Sequence, residues 1–239
     1  MRSTISVVIS AVVLSCSLVA QLRAEEESPL ERGLDAYNAG HYKTAYNLTI
    51  PLAAQGDPGA DNLLGMMYEL GKGVPKDLAK SVAYYRQGAE QGDQYAQYNL
   101  AVSYDAGTGV PQNYREAVKW FRRAADQGVS SAQYDLGVMF EQGRGTHKSF
   151  QKAARWYQKA AQQGHVQAQN NLAWLYENGQ GVERNLITAY AWFDVAAAQG
   201  FELAQQKRDE IKVALTAKDL RKAQAKSDQF KKIVLSQAK

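Results

Sequence analysis

The chain repeats itself every 36 residues, and this period constrains its fold more than any other feature. G-K-G-V-P at Gly71 returns as G-T-G-V-P at Gly107, G-R-G-T-H at Gly143 and G-Q-G-V-E at Gly179. A Q-G pair recurs in step at Gln55, Gln91, Gln127, Gln163 and Gln199. One glycine-rich loop flanked by Lys72 and Lys76 suggests a phosphate cradle. Four in register do not, and the next copy replaces both lysines with Thr108 and Gln112. A fixed period of this length marks stacked supersecondary units, each touching only its neighbours.

Each unit reads as two helices. Apolar residues four apart form one stripe: Ala60, Leu64, Tyr68; Ala96, Leu100, Tyr104; Ala132, Leu136, Phe140; Ala168, Leu172, Tyr176. Beside it Gly65, Ala101, Gly137 and Ala173 stay small, which lets a second helix approach. That second helix carries adjacent aromatics: Tyr84-Tyr85, Trp120-Phe121, Trp156-Tyr157 and Trp192-Phe193. Neighbours in a helix point about 100° apart, so one ring can fill its own hairpin while the other packs on the next. All three second-helix tryptophans are expected in the core. Gly71, Gly107, Gly143 and Gly179 suit helix C-termini. Asp77, Asn113, Ser149 and Asn185 suit N-caps of the second helices, and Asn113 with Glu116 has capping-box spacing.

Ala96 to Gly128, AQYNLAVSYDAGTGVPQNYREAVKWFRRAADQG, resembles the Sel-1-like repeat, a relative of the tetratricopeptide repeat. The resemblance rests on the alanine-leucine-small-tyrosine helix, the G-x-G-V-P loop, the alanine-tryptophan helix and the closing A-A-x-x-G. Thr146, His147 and Glu183 depart from it in the loops of the third and fourth copies. It implies an all-α fold, an α/α superhelical solenoid of Sel-1-like, tetratricopeptide-like hairpins with a right-handed course. The expected layout is a signal peptide over 1–24, an N-terminal tetratricopeptide-like hairpin over 25–58, four repeats over 59–200 and capping helices over 201–239. The last segment holds ten Lys or Arg against five Asp or Glu, a polar end suited to a solenoid.

Arg2, the apolar run from Ile5 to Ala20, and Ala24 before Glu25, Glu26 and Glu27 read as an export signal. Cleavage after Ala24 is preferred, with Ala20 as an alternative. A lipoprotein reading rests on V-L-S-C ending at Cys16, the only cysteine. The expected location is periplasmic or secreted, with membrane attachment only through lipid on Cys16. Net charge is +4, or +2 without Arg2 and Arg23, too small an excess to indicate nucleic acid, and no nucleic-acid partner is expected.

In the resembled superfamily a first-helix face away from the core stripe lines a concave groove. Here that face holds Met66, Val102, Val138 and Trp174, beside Asn62, Tyr98, Tyr134 and Asn170. Aromatics and amides suit peptide recognition, so Asn62, Tyr98, Tyr134, Asn170 and Trp174 are the candidate partner-binding residues. Packing between adjacent first helices is the other use of such a face. Glu69, Asp105, Glu141 and Glu177 form an acidic ladder in last helical turns, where the macrodipole disfavours negative charge. Loop N–H groups or a basic partner segment can compensate. His41, His147 and His165 lie in different corners without metal-ligand spacing. No catalytic residue, metal or cofactor is expected. The resemblance implies a non-enzymatic interaction scaffold, with roles such as envelope assembly. Its rival is a cell-wall or β-lactam hydrolase, an activity attributed to cysteine-rich relatives. A serine hydrolase of that type would carry S-x-x-K together with K-T-G; the repeats are read as lacking S-x-x-K, and K-T-G is absent.

Overall fold

The computed structural model describes residues 27–237. The export signal, its cleavage sites and Cys16 lie outside the described residues. These contain twelve helices and no strand. Two compact units divide the chain at Asp93/Gln94. The first contains α1 (Pro29–Asn38), α2 (Tyr42–Ala54), α3 (Pro58–Leu70) and α4 (Leu78–Glu90). The second contains α5 (Gln94–Ala106), α6 (Tyr114–Asp126), α7 (Ser130–Gln142), α8 (Phe150–Gln162), α9 (Val166–Asn178), α10 (Leu186–Ala197), α11 (Glu202–Ala214) and α12 (Ala217–Gln237). Within each unit successive helices pack on one another up to α11, and α12 packs back on α10, so the units are α-solenoid hairpin stacks. No described helix is long and apolar enough to cross a membrane.

The helix ends follow the sequence closely. Asp77, Asn113, Ser149 and Asn185 each accept a backbone N–H from the first turn of α4, α6, α8 and α10. Asn113 caps alone: Glu116 pairs with Lys119 at 3.1 Å instead of closing a box. Ser28 and Glu31 do form a reciprocal box at the start of α1. Thr216 accepts the Asp219 N–H to open α12.

The G-x-G loop is architecture with two separate jobs. The first glycine takes the left-handed conformation that ends a helix, at φ 68° for Gly71 and 74° for Gly143. The second has no room for a side chain. A Cβ on Gly73 would meet the Tyr42 carbonyl oxygen at 2.6 Å, and on Gly145 it would collide with the carbonyl of Tyr114. The loops at Gly73, Gly145 and Gly181 thus sit on the start of the preceding second helix.

Inside the hairpins, the second aromatic of each pair is the core residue. Tyr85, Phe121, Tyr157 and Phe193 are all buried. Tyr85 and Tyr157 lie flat over Gly65 and Gly137, where a Cβ at 137 would stand 2.6 Å from the Tyr157 ring. Where the small residue is Ala101 or Ala173, the aromatic is a phenylalanine. The first aromatic is less uniform. Trp120 and Trp192 are buried, but Trp156 is only half-buried, capped by Lys159 Nζ 4.3 Å from its ring. The expectation that Trp156 is core is therefore corrected. It lies towards the outer side of α8, and truncating it removes less buried surface than truncating Trp120.

The last turns of the second unit are locked electrostatically. Asp194 on α10 receives Arg208 Nη1 at 3.3 Å, Ser227 Oγ at 2.7 Å and Lys231 Nζ at 2.6 Å. Burial opposes its charge, yet the Lys231 and Ser227 bonds outweigh that and hold its pKa below the usual value. Trp192 stacks on Phe230 at 4.2 Å, seating α12.

Candidate functional site

A buried amide ladder, unrecognised in the sequence, fixes each hairpin. Gln127 Nε2 donates to Gln97 Oε1 at 2.8 Å, Gln163 to Gln133 at 2.8 Å, and Gln199 to Gln169 at 2.7 Å. Gln133 and Gln169 then donate to the carbonyls of Ala125 and Ala161 on the preceding second helix, both at 3.1 Å. One amide thus accepts from its own repeat and donates to the previous one, so both its oxygen and its nitrogen are bonded within the protein. The signal was present as a glutamine every 36 residues following the stripe alanine. In the first unit that position is Asp61, fully buried, accepting Gln91 Nε2 at 3.1 Å. Its second oxygen, Oδ1, has no hydrogen-bond partner. Burial, with Asp57 nearby, raises its pKa to about 6.

The acidic ladder is satisfied differently from either expectation at three of its rungs. Tyr85 OH donates to Glu69 Oε2 at 2.6 Å, and Tyr157 OH donates to Glu141. Asp105 forms an ion pair with Arg144, Nη1 to Oδ1 3.3 Å, without hydrogen-bond alignment. Tyrosine at 85 and 157, against phenylalanine at 121 and 193, is the sequence cue for the hydroxyl bonds.

The candidate binding residues divide into bracing residues and an exposed one. In the second unit, Tyr98 is half-buried against Phe121 at 5.9 Å, and its hydroxyl faces Asp135 on α7. Burial raises Asp135 to about 6, with Tyr98 hydrogen bonding working against the rise. Tyr134 is half-buried between Tyr157 at 5.8 Å and the stacked His165 ring at 4.6 Å, its hydroxyl towards Asn171 on α9. His165 Nδ1 accepts the Ala168 N–H and so caps α9, and burial lowers its pKa. Both tyrosines therefore reach from one first helix to the next. Asn170 donates to Asn171 at 3.3 Å, while its Oδ1 is buried without a partner. Trp174 is 38% exposed and Val102, two repeats earlier in the same row, 37%. Asn62, in the first unit, is half-buried.

Among the described residues no cluster of histidine, cysteine and carboxylate can hold a metal. The reading that the repeats lack S-x-x-K is corrected: Ser149 to Lys152 is one, and a second, Ser236 to Lys239, follows the repeats. Ser149 Oγ accepts the Lys152 N–H at 3.3 Å as a helix cap, which is structural use of that serine.

A family model described as Sel1 repeat matches residues 58–93, 94–129, 130–165 and 166–201. The chain belongs to the Sel1 repeat family. A Sel1 repeat protein of Oxalobacter formigenes is similar at 35% identity and TM-score 0.71, over 74% of this chain and 73% of that one. The Escherichia coli protein c5321, a protective antigen of uropathogenic strains displaying the SLR fold, is similar at 34% identity and TM-score 0.74. That match covers 87% of this chain but 47% of c5321, so this chain spans about half its length. Comparison with curated proteins gives no match.

Proposed function

We propose that this Sel1 repeat chain is an exported, non-enzymatic scaffold that binds a protein partner on the first-helix face of its second unit. Trp174 carries this reading. It is a large aromatic left 38% exposed on a face whose other aromatics are already committed to bracing the helices. Aromatic anchors of this kind dominate binding energy in protein interfaces because they bring large area at little rotamer cost. Export rests on Arg2, the apolar run and Ala24, and the envelope or periplasm is the matching location. Mass spectrometry of the native protein tests this: an N-terminus at Glu25 supports soluble export, whereas a diacylated Cys16 replaces it with lipid anchoring.

The binding face is tested by photo-crosslinking in cells, with the crosslinking residue at Val102 and, as control, at Arg155 on α8. A discrete adduct from position 102, absent from position 155, supports the proposal. Equal adducts from both, or none from 102, contradict it.

A further inference from the structure

The outer sides of α6 and α8 carry cations in single-file rows. On α6 Arg115, Lys119 and Arg122 fall at i, i+4 and i+7, with Arg123 beside them. Around α8 Lys148, Lys152, Arg155 and Lys159 fall at i, i+4, i+7 and i+11. Such spacing places the helical members of each set on one helix face, with Lys148 in the loop just before α8, and all eight residues are exposed. The two rows adjoin. Arg122 from α6 and Lys152 from α8 stand over the same Phe140 ring, at 5.7 and 5.3 Å. Asp126 and Lys159 line one cleft of about 420 Å³ at the far end. Only Glu116 and Asp126 oppose them on these two helices, and Glu116 already holds Lys119.

Neither row is complete in the flanking repeats. The places of the α6 row are Ala79, Ala83 and Arg86 around α4 and Ile187, Ala191 and Asp194 around α10, where Asp194 is bound by the cap. Those of the α8 row are Lys76, Lys80, Ala83 and Gln87, and Arg184, Thr188, Ala191 and Val195. Two full rows side by side occur in α6 and α8 together. The tryptophans of this patch are covered by its own cations: Trp120 is buried beneath Lys119 and Arg123, 5.2 and 4.5 Å from its ring, and half-buried Trp156 lies under Lys159 at 4.3 Å. A specific protein interface is built around an apolar anchor. A plane of anionic headgroups needs none and attracts each cation near it additively.

We infer that the α6/α8 face docks on anionic phospholipid bilayers, electrostatically and without insertion. This departs from the expectation that membrane attachment requires lipid on Cys16, and it uses a face distinct from that of Trp174. It leaves the first-helix face for the protein partner.

The test is co-sedimentation of the full chain with phosphatidylcholine vesicles, with and without about one third phosphatidylglycerol. The difference between the two isolates electrostatic binding from any contribution of the apolar N-terminal run. The expected result is binding to the anionic vesicles in excess over the neutral ones, falling steeply with salt. A variant with Lys148→Gln, Lys152→Gln, Arg155→Gln and Lys159→Gln should lose at least ~10-fold of that excess. Circular dichroism of the variant must match the parent. A second variant, Arg115→Gln with Lys119→Gln and Arg122→Gln, should do likewise should the first fail to fold. Equal partition to both vesicles, or variants that bind as the parent does, overturns the inference. Capture on immobilised polyglutamate without vesicle binding also overturns it, assigning the face to an acidic polypeptide.

Discussion

The hairpin α3–α4 of the first unit and α7–α8 of the second share their glycine–tyrosine contact but differ at several buried positions, of which the amide position is the one that changes a buried hydrogen-bond set. Both set a glycine, Gly65 or Gly137, under a tyrosine ring whose hydroxyl reaches a glutamate at the end of the first helix. At the amide position, however, α7 has Gln133 and α3 has Asp61. Gln133 both accepts and donates, to Gln163 and Ala125. An ionised aspartate can only accept, which leaves Asp61 Oδ1 buried and unpaired. Packing in these hairpins is thus set by the shape of the glycine–aromatic contact, whereas their polar interior is set by donor count. An unmade bond in such a place costs more than a made one contributes.

The largest effect should be common to both hairpins. Tyr85→Ala and Tyr157→Ala each remove a buried ring and strand a glutamate, and each should cost about 3–5 kcal/mol by chemical denaturation. Unequal losses would show that the hairpins are not equivalent in packing. Next is Gly137→Ala, which forces the Tyr157 ring to move and should cost about 1–2 kcal/mol despite better helix propensity. Adding Tyr157→Phe should recover part of this, since Ala101 faces Phe121 in the neighbouring repeat. Additive losses would break the proposed pairing of small residue and ring.

The smallest effect separates the two hairpins. Folded Asp61 keeps its proton up to about pH 6, whereas an unfolded aspartate releases it near 3.9. Its contribution to stability is therefore full below about pH 4 and is lost as pH rises towards 6. Asp61→Gln should supply the missing donor. It should stabilise by about 1–2 kcal/mol at pH 7 and by much less at pH 4, read as the difference between variant and parent denaturation curves. A gain equal at both pH values would mean that the carboxylate is not the strained group.

Most of the fold was legible because repetition multiplies weak local signals. Four N-caps, four left-handed glycines and the Ala-Leu stripe were each visible in register. Contacts between side chains remote in sequence were not. The second glycine's role depends on the carbonyl of Tyr42 or Tyr114 lying beneath it, which no local pattern encodes. Trp156 shares its repeat position with two core tryptophans, yet it stays half-buried while they are covered. Trp192 has Phe230 of the cap stacked on it. At the binding face, residue type marked Tyr98, Tyr134 and Trp174 alike. Only geometry separates the two that brace helices from the one left open. Replacing all three with alanine would confound binding with stability, so Trp174 alone is the informative position.

Trp174→Ala is accordingly the most direct measurement, made on the partner captured through the Val102 adduct and titrated against parent and variant chains. The first-helix face should lose about 2 kcal/mol of binding free energy, roughly 30-fold in Kd, with helicity unchanged. An unchanged Kd in a folded variant would contradict the assignment of this face as the binding surface.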